Sequence, residues 1–121
     1  MGSGKSDSSY YQFQKYSSLN GYAQDIIEIC DSLALKNVTF MGHSVSSMIG
    51  ALAAIERPSI LKNIIMVGPF PFYINDGDYL GGFSPAELES LSHSLESNYL
   101  GWSSSITPVI MGNSDRPELT E

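Results

Sequence analysis

A strand-like run, Asn37-Val38-Thr39-Phe40-Met41, passes directly into Gly42-His43-Ser44-Val45-Ser46 and then into a helix-like run ending near Glu56. A tight turn of small residues between strand and helix forces one side chain into a strained, exposed position, and here that residue is Ser44. A serine hydroxyl held there is placed to attack a carbonyl carbon as a nucleophile. The amide of the next residue, Val45, then faces the oxygen on which negative charge develops, and the positive end of the following helix dipole adds to the same stabilisation. Ser46 stands where the usual G-x-S-x-G pattern has its last glycine. Serine is small enough to keep helix and strand close. The competing reading of Ser44 is a plain helix cap at an ordinary strand-to-helix turn.

A nucleophilic serine needs a base within about 3 Å of its hydroxyl, itself oriented by an acid. The sequence has two histidines, His43 and His93. His43 adjoins the serine, where neighbouring side chains diverge, and it is expected to pack rather than to take a proton. Asp76 or Asp78 followed by His93 gives the formal order serine, acid, histidine. His93 nevertheless falls in the middle of a helical stretch, so it is expected to be solvated or at a pocket edge. Gly2-Ser3-Gly4-Lys5-Ser6 looks like the end of a phosphate-binding loop, but Asp7-Ser8-Ser9 follows instead of an apolar helix, and an ordinary loop is expected. Cys30 is the one cysteine, which excludes an intrachain disulfide and a cysteine-based zinc site and fits a reducing, cytoplasmic setting. No metal or cofactor is expected.

The elements that must position Ser44 follow from periodicity. Ser17 or Ser18 can cap a helix from about Leu19 to Leu33, with Tyr22, Ile26, Ile27, Cys30 and Leu33 on its apolar face. Residues 37–41 and 63–67 are short, β-branched and apolar, as buried strands are. Between them Met48, Ile49, Leu52, Ala53 and Ile55 make a helix apolar on most sides, ended by Arg57-Pro58. Strand, helix, strand at this spacing is a βαβ unit and implies a parallel sheet. Residues 68–83 read as a long loop. Ser84-Pro85-Ala86-Glu87 carries an N-cap serine, a first-turn proline and a capping-box glutamate, and starts a helix faced by Leu88, Leu91, Leu95 and Tyr99. Residues 102–111 suit a further short helix.

Composition bounds the class. A chain of 121 residues with 42% hydrophobic and 16% charged residues is globular material for one small domain. A net charge of −7 with six lysines and arginines argues against nucleic acid or an anionic membrane surface as partner. No apolar run reaches the roughly 18 residues of a membrane span. Two strands alone leave both sheet edges unpaired, so the chain is expected to be the middle of a larger fold.

The run Met41-Gly42-His43-Ser44-Val45-Ser46-Ser47-Met48-Ile49-Gly50, followed by Glu56-Arg57-Pro58, resembles the α/β-hydrolases of the RsbQ type and, equally, their plant relatives, the karrikin and strigolactone receptors. The similarity continues through Met66-Val67-Gly68-Pro69, Tyr73-Ile74-Asn75-Asp76, Asp78-Tyr79, Gly81-Gly82-Phe83, Asn98-Tyr99 and Gly101-Trp102. The start, Gly2 to Asp7, looks like the loop after the fourth strand of that family. Ser46 is common in this branch. The resemblance implies a partial α/β-hydrolase fold: residues 1–70 as the central part of the core with its nucleophile elbow, and residues 71–121 as the first part of a helical cap, or lid. It implies Ser44 as nucleophile and the Val45 N–H as half of an oxyanion hole, with the second donor ahead of residue 1 and the catalytic Asp and His beyond Glu121. On that expectation residues 1–121 alone lack the triad acid and base and are inactive. It places Tyr73, Phe83, Leu91, Trp102 and Ile106 around an apolar pocket, although Leu91, Trp102 and Ile106 suit packing between lid helices equally well. Such a pocket suits a small hydrophobic ester, lactone or enol ether. The RsbQ type further implies a signalling alternative, in which a bound hydrophobic ligand leads to activation of a phosphatase partner in a stress response.

Overall fold

The β-branched, apolar run after Asn37 forms strand β1 (Val38–His43), and the segment after Ile60 forms β2 (Leu61–Val67). The computed structural model describes residues 5, 7–113 and 115–119, so most of the Gly2-Ser3-Gly4-Lys5-Ser6 motif lies outside the described residues. Two compact units divide the chain, Met1–Pro71 and Phe72–Glu121.

In the first unit β1 and β2 pair in parallel, with Gly42 opposite Met66 and His43 opposite Val67. Parallel neighbours require a crossover, and helix α2 (Val45–Glu56) supplies it. Helix α1 (Leu19–Ser32) packs on α2, which packs on both strands. Ala23, Ile27 and Cys30 of α1, Ala53 of α2, and Ile60 with Leu61 close one core cluster. Cys30 is a core residue, 4% exposed, as its helical phase requires. The segment ahead of α1 is tied down at Tyr16, whose hydroxyl donates to the Asp25 carboxylate at 3.0 Å. Lys15 meets Asp25 at 2.8 Å and Glu28 at 3.3 Å. The hydrogen bond to Asp25 holds the Lys15 ammonium above its ordinary pKa, while burial and Asp25 raise that of the Tyr16 phenol.

Four expectations need correction here. Ser18 occupies the N-cap of α1 but its side chain makes no capping bond, and the Ser17 hydroxyl donates instead to the Gln14 carbonyl at 3.0 Å. Leu33 lies just past the helix end and is exposed. Helix α2 is not covered on every side among the described residues, since Val45 and Ile55 are exposed. The strands are longer than expected and are buried on one face. Val38, Phe40 and Gly42 turn inward, whereas Thr39, Met41 and His43 face out beside Asn63, Ile65 and Val67. Alternation along a strand sends successive side chains to opposite faces, and among the described residues only one face is covered by helices.

The second unit holds helices α3 (Pro85–Ser97) and α4 (Tyr99–Met111). The capping box forms as its residues predict: the Glu87 N–H donates to the Ser84 hydroxyl at 3.3 Å and the Ser84 N–H to the Glu87 carboxylate at 2.7 Å. Helix α4 begins three residues earlier than expected, because Asn98 caps it by accepting from the Gly101 N–H at 3.0 Å. Tyr99 therefore belongs to α4 and is exposed, not part of the α3 face. The loop ahead of α3 is folded on itself: the Asn75 N–H donates to the Phe83 carbonyl at 2.9 Å and the Phe83 N–H to the Tyr73 carbonyl at 3.1 Å.

Candidate functional site

Ser44 stands between the last residue of β1 and the first of α2, with φ 54° and ψ −125°. A positive φ costs a non-glycine residue of order 1–3 kcal/mol and persists only where the surroundings over-determine it. Three hydrogen bonds do so. The Ser44 N–H donates to the Val67 carbonyl at 2.9 Å, anchoring the turn to β2. The Ser47 N–H donates to the Ser44 carbonyl at 3.0 Å, and the Ser47 hydroxyl to the Gly42 carbonyl at 2.8 Å. Glycine at position 42 is a requirement of this geometry, since a Cβ there would lie 2.7 Å from backbone atoms of Ser46 and Ser47.

The N-cap position of α2 is Ser44, yet its side chain makes no capping hydrogen bond. The hydroxyl is thus not spent on the helix terminus. Val45, as the first residue of α2, has an N–H with no acceptor inside its own helix. A strand end, a helix start and a serine hydroxyl not used in the cap between them are parts that acyl transfer can use at a nucleophile elbow.

His43 is exposed, not packed as expected, because β1 points its side chain to the uncovered face. His93 is exposed on α3. Among the described residues no three metal-ligating side chains converge.

Tyr73, Phe83, Leu91, Trp102 and Ile106 line one cavity of about 350 Å³ within the second unit. Leu88, Ser92, Leu95 and Ile110 complete its wall. The lining is apolar but for Ser92 and the polar tips of Tyr73 and Trp102. The indole N–H of Trp102 is buried and meets no acceptor among the described residues. Leu88, Leu95 and Ile110 were not among the expected pocket residues, although spacing carries the signal. Leu88, Leu91 and Leu95 share a face of α3, and Trp102, Ile106 and Ile110 recur every four residues along α4.

Comparison with known proteins adds the context of this geometry. No protein-family model matches the chain. It is 40% identical over 112 residues to the Petunia hybrida protein named Karrikin insensitive 2 receptor CA, covering 93% of this chain and 42% of that one. It is 40% identical over 103 residues to Strigolactone esterase D14 of Arabidopsis thaliana, covering 85% and 39%. The solved structure of olei00960, a hydrolase from Oleispira antarctica, matches with a TM-score of 0.91 and 42% identity, over 98% of this chain and 44% of that one. The chain spans about 42% of the length of the first of these curated relatives.

Proposed function

This chain belongs to the α/β-hydrolase superfamily and its described elements form part of that fold, and from this premise we propose that the protein is a serine hydrolase acting on a small apolar ester or lactone. The observation that carries the reading is the positive φ of Ser44 at the junction of β1 and α2. In the proposed reaction the Ser44 oxygen attacks the carbonyl carbon and its proton passes to a general base. The Val45 N–H holds the resulting oxyanion. The bond to the leaving alkoxide breaks as that oxygen takes the proton back, and water then releases the acyl group from Ser44. Neither His43 nor His93 has a role as base in this reading, so residues 1–121 by themselves are expected to show no turnover.

Residues 71–121 serve in this proposal as the first part of a lid, with Tyr73, Phe83, Leu91, Trp102 and Ile106 holding the apolar body of the substrate. A cavity of about 350 Å³ is at the small end of the range for ligand sites, which favours a compact molecule. A cytoplasmic setting is part of the same reading and rests on the single, buried Cys30. Among the described residues no helix is long and apolar enough to cross a membrane.

A fluorophosphonate probe on the protein in its natural form is expected to label Ser44, with the adduct mapped by mass spectrometry. Labelling that survives Ser44→Ala would refute the nucleophile assignment. One observation favours a second reading: relatives named as receptors stand beside relatives named as esterases. In that reading the protein is an RsbQ-like regulator that binds a hydrophobic ligand and activates a phosphatase in stress signalling. Ligand-dependent co-purification of a phosphatase, unaltered by Ser44→Ala, is the result that would favour it over turnover.

A further inference from the structure

Ser47 has no part in the acyl-transfer scheme, yet it is 0% exposed. Burying a hydroxyl without a partner is unfavourable, so the destination of its proton matters. The Ser47 hydroxyl donates to the Gly42 carbonyl at 2.8 Å, while the Ser47 amide donates to the Ser44 carbonyl at 3.0 Å. One residue therefore grips the chain at position 44 and again two residues before it. Between the two grips runs the strained backbone of Ser44, at φ 54° and ψ −125°. The Ser44 N–H anchors that turn further, donating to the Val67 carbonyl at 2.9 Å. Gly42 packs directly on the first turn of α2, which is what brings its carbonyl within reach of a side chain as short as serine.

We propose that Ser47 is a positioning residue: its buried hydroxyl clasps the end of β1 to the first turn of α2 and so holds Ser44 in the positive-φ conformation. Pairing of Gly42 and His43 with β2 holds the strand side of the turn. The Ser47 side-chain bond ties that held strand end to the first turn of α2, limiting the backbone conformations open to Ser44 between them. The catalytic consequence rests on the nucleophile reading above, whereas the clasp itself does not.

Backbone amide exchange, followed by NMR on the 121-residue chain, separates the two. In Ser47→Ala the Ser44 amide is expected to exchange about tenfold faster, the change that follows loss of one hydrogen bond of ordinary strength. The amides of Ile27 and Cys30 in the core are expected to keep their rates. Ser47→Cys, of similar volume and a weaker donor, is expected to fall between, and it takes over the same comparison if Ser47→Ala does not fold. Equal acceleration at Ser44 and in the core would reduce Ser47 to a general stabiliser and overturn the proposal, as would an unchanged Ser44 amide. In the protein in its natural form, fluorophosphonate labelling of Ser44 is expected to slow in Ser47→Ala. If labelling is absent from the unsubstituted protein while the exchange result holds, the nucleophile reading fails and the clasp stands.

Discussion

At position 44 a serine occupies backbone space that glycine enters freely, and this makes the strain measurable by substitution. Ser44→Gly releases about 1–3 kcal/mol of strain and adds about 0.5–1 kcal/mol of chain entropy lost on folding. The net expectation is a gain of about 1 kcal/mol in urea denaturation, with Ser44→Ala, which keeps its Cβ, showing none. Equal stabilities for the glycine and alanine chains would mean that the turn is not strained. A residue kept at such a cost points to a role for its side chain, and the hydroxyl's freedom from the helix cap agrees. The departure from G-x-S-x-G at Ser46 is tolerated because the tight approach is made elsewhere. Gly42 faces the backbone of α2, and a Cβ on Gly50 would lie 2.5 Å from the Phe40 ring. Ser46 itself is half-buried.

Among the elements, those set by neighbouring residues were legible in the sequence. The turn from β1 to α2, the crossover to β2 and the capping box of α3 all depend on residues a few positions apart. Glu87 closes that box, and hydrogen bonds from the Ser84 amide and hydroxyl hold its carboxyl below the ordinary value of 4.5. A carboxyl with a depressed pKa in the folded state stabilises fully above its unfolded value, and the contribution is lost as pH falls through the folded one. The helicity of α3, read by circular dichroism, is therefore expected to fall in acid below the ordinary carboxylate range. Glu87→Gln should remove that part of the acid response, and Ser84→Ala should cost about 1 kcal/mol at neutral pH. An acid response unchanged by Glu87→Gln would show that the box adds nothing. The start of α4 was less legible, since Asn98 and Gly101 look like a break until the Asn98 side chain is seen to accept from the Gly101 amide. The cavity was half-legible. Resemblance pointed to five of its residues, while helical spacing alone reaches Leu88, Leu95 and Ile110.

At the scale of the whole molecule, burial is a property of what packs on an element and not of the element's own residues. Asn37 to Met41 reads as a buried strand from its composition, because parallel sheets are ordinarily covered on both faces. Here Met41 is 68% exposed while Ile27, in the core of the same unit, is 3% exposed. Two residues of similar hydrophobicity thus do opposite things for stability, and no sequence pattern distinguishes them without knowing which face the helices take. Ile27→Ala opens a cavity and is expected to cost about 2–5 kcal/mol. Met41→Ser leaves no cavity and should change stability by about 0.5 kcal/mol or less in the 121-residue chain. Urea denaturation of both variants at one protein concentration, with light scattering to exclude association, makes the comparison. A large loss from Met41→Ser would mean that the outer face of β1 is covered in solution, and the sheet would then be buried as its composition first suggests.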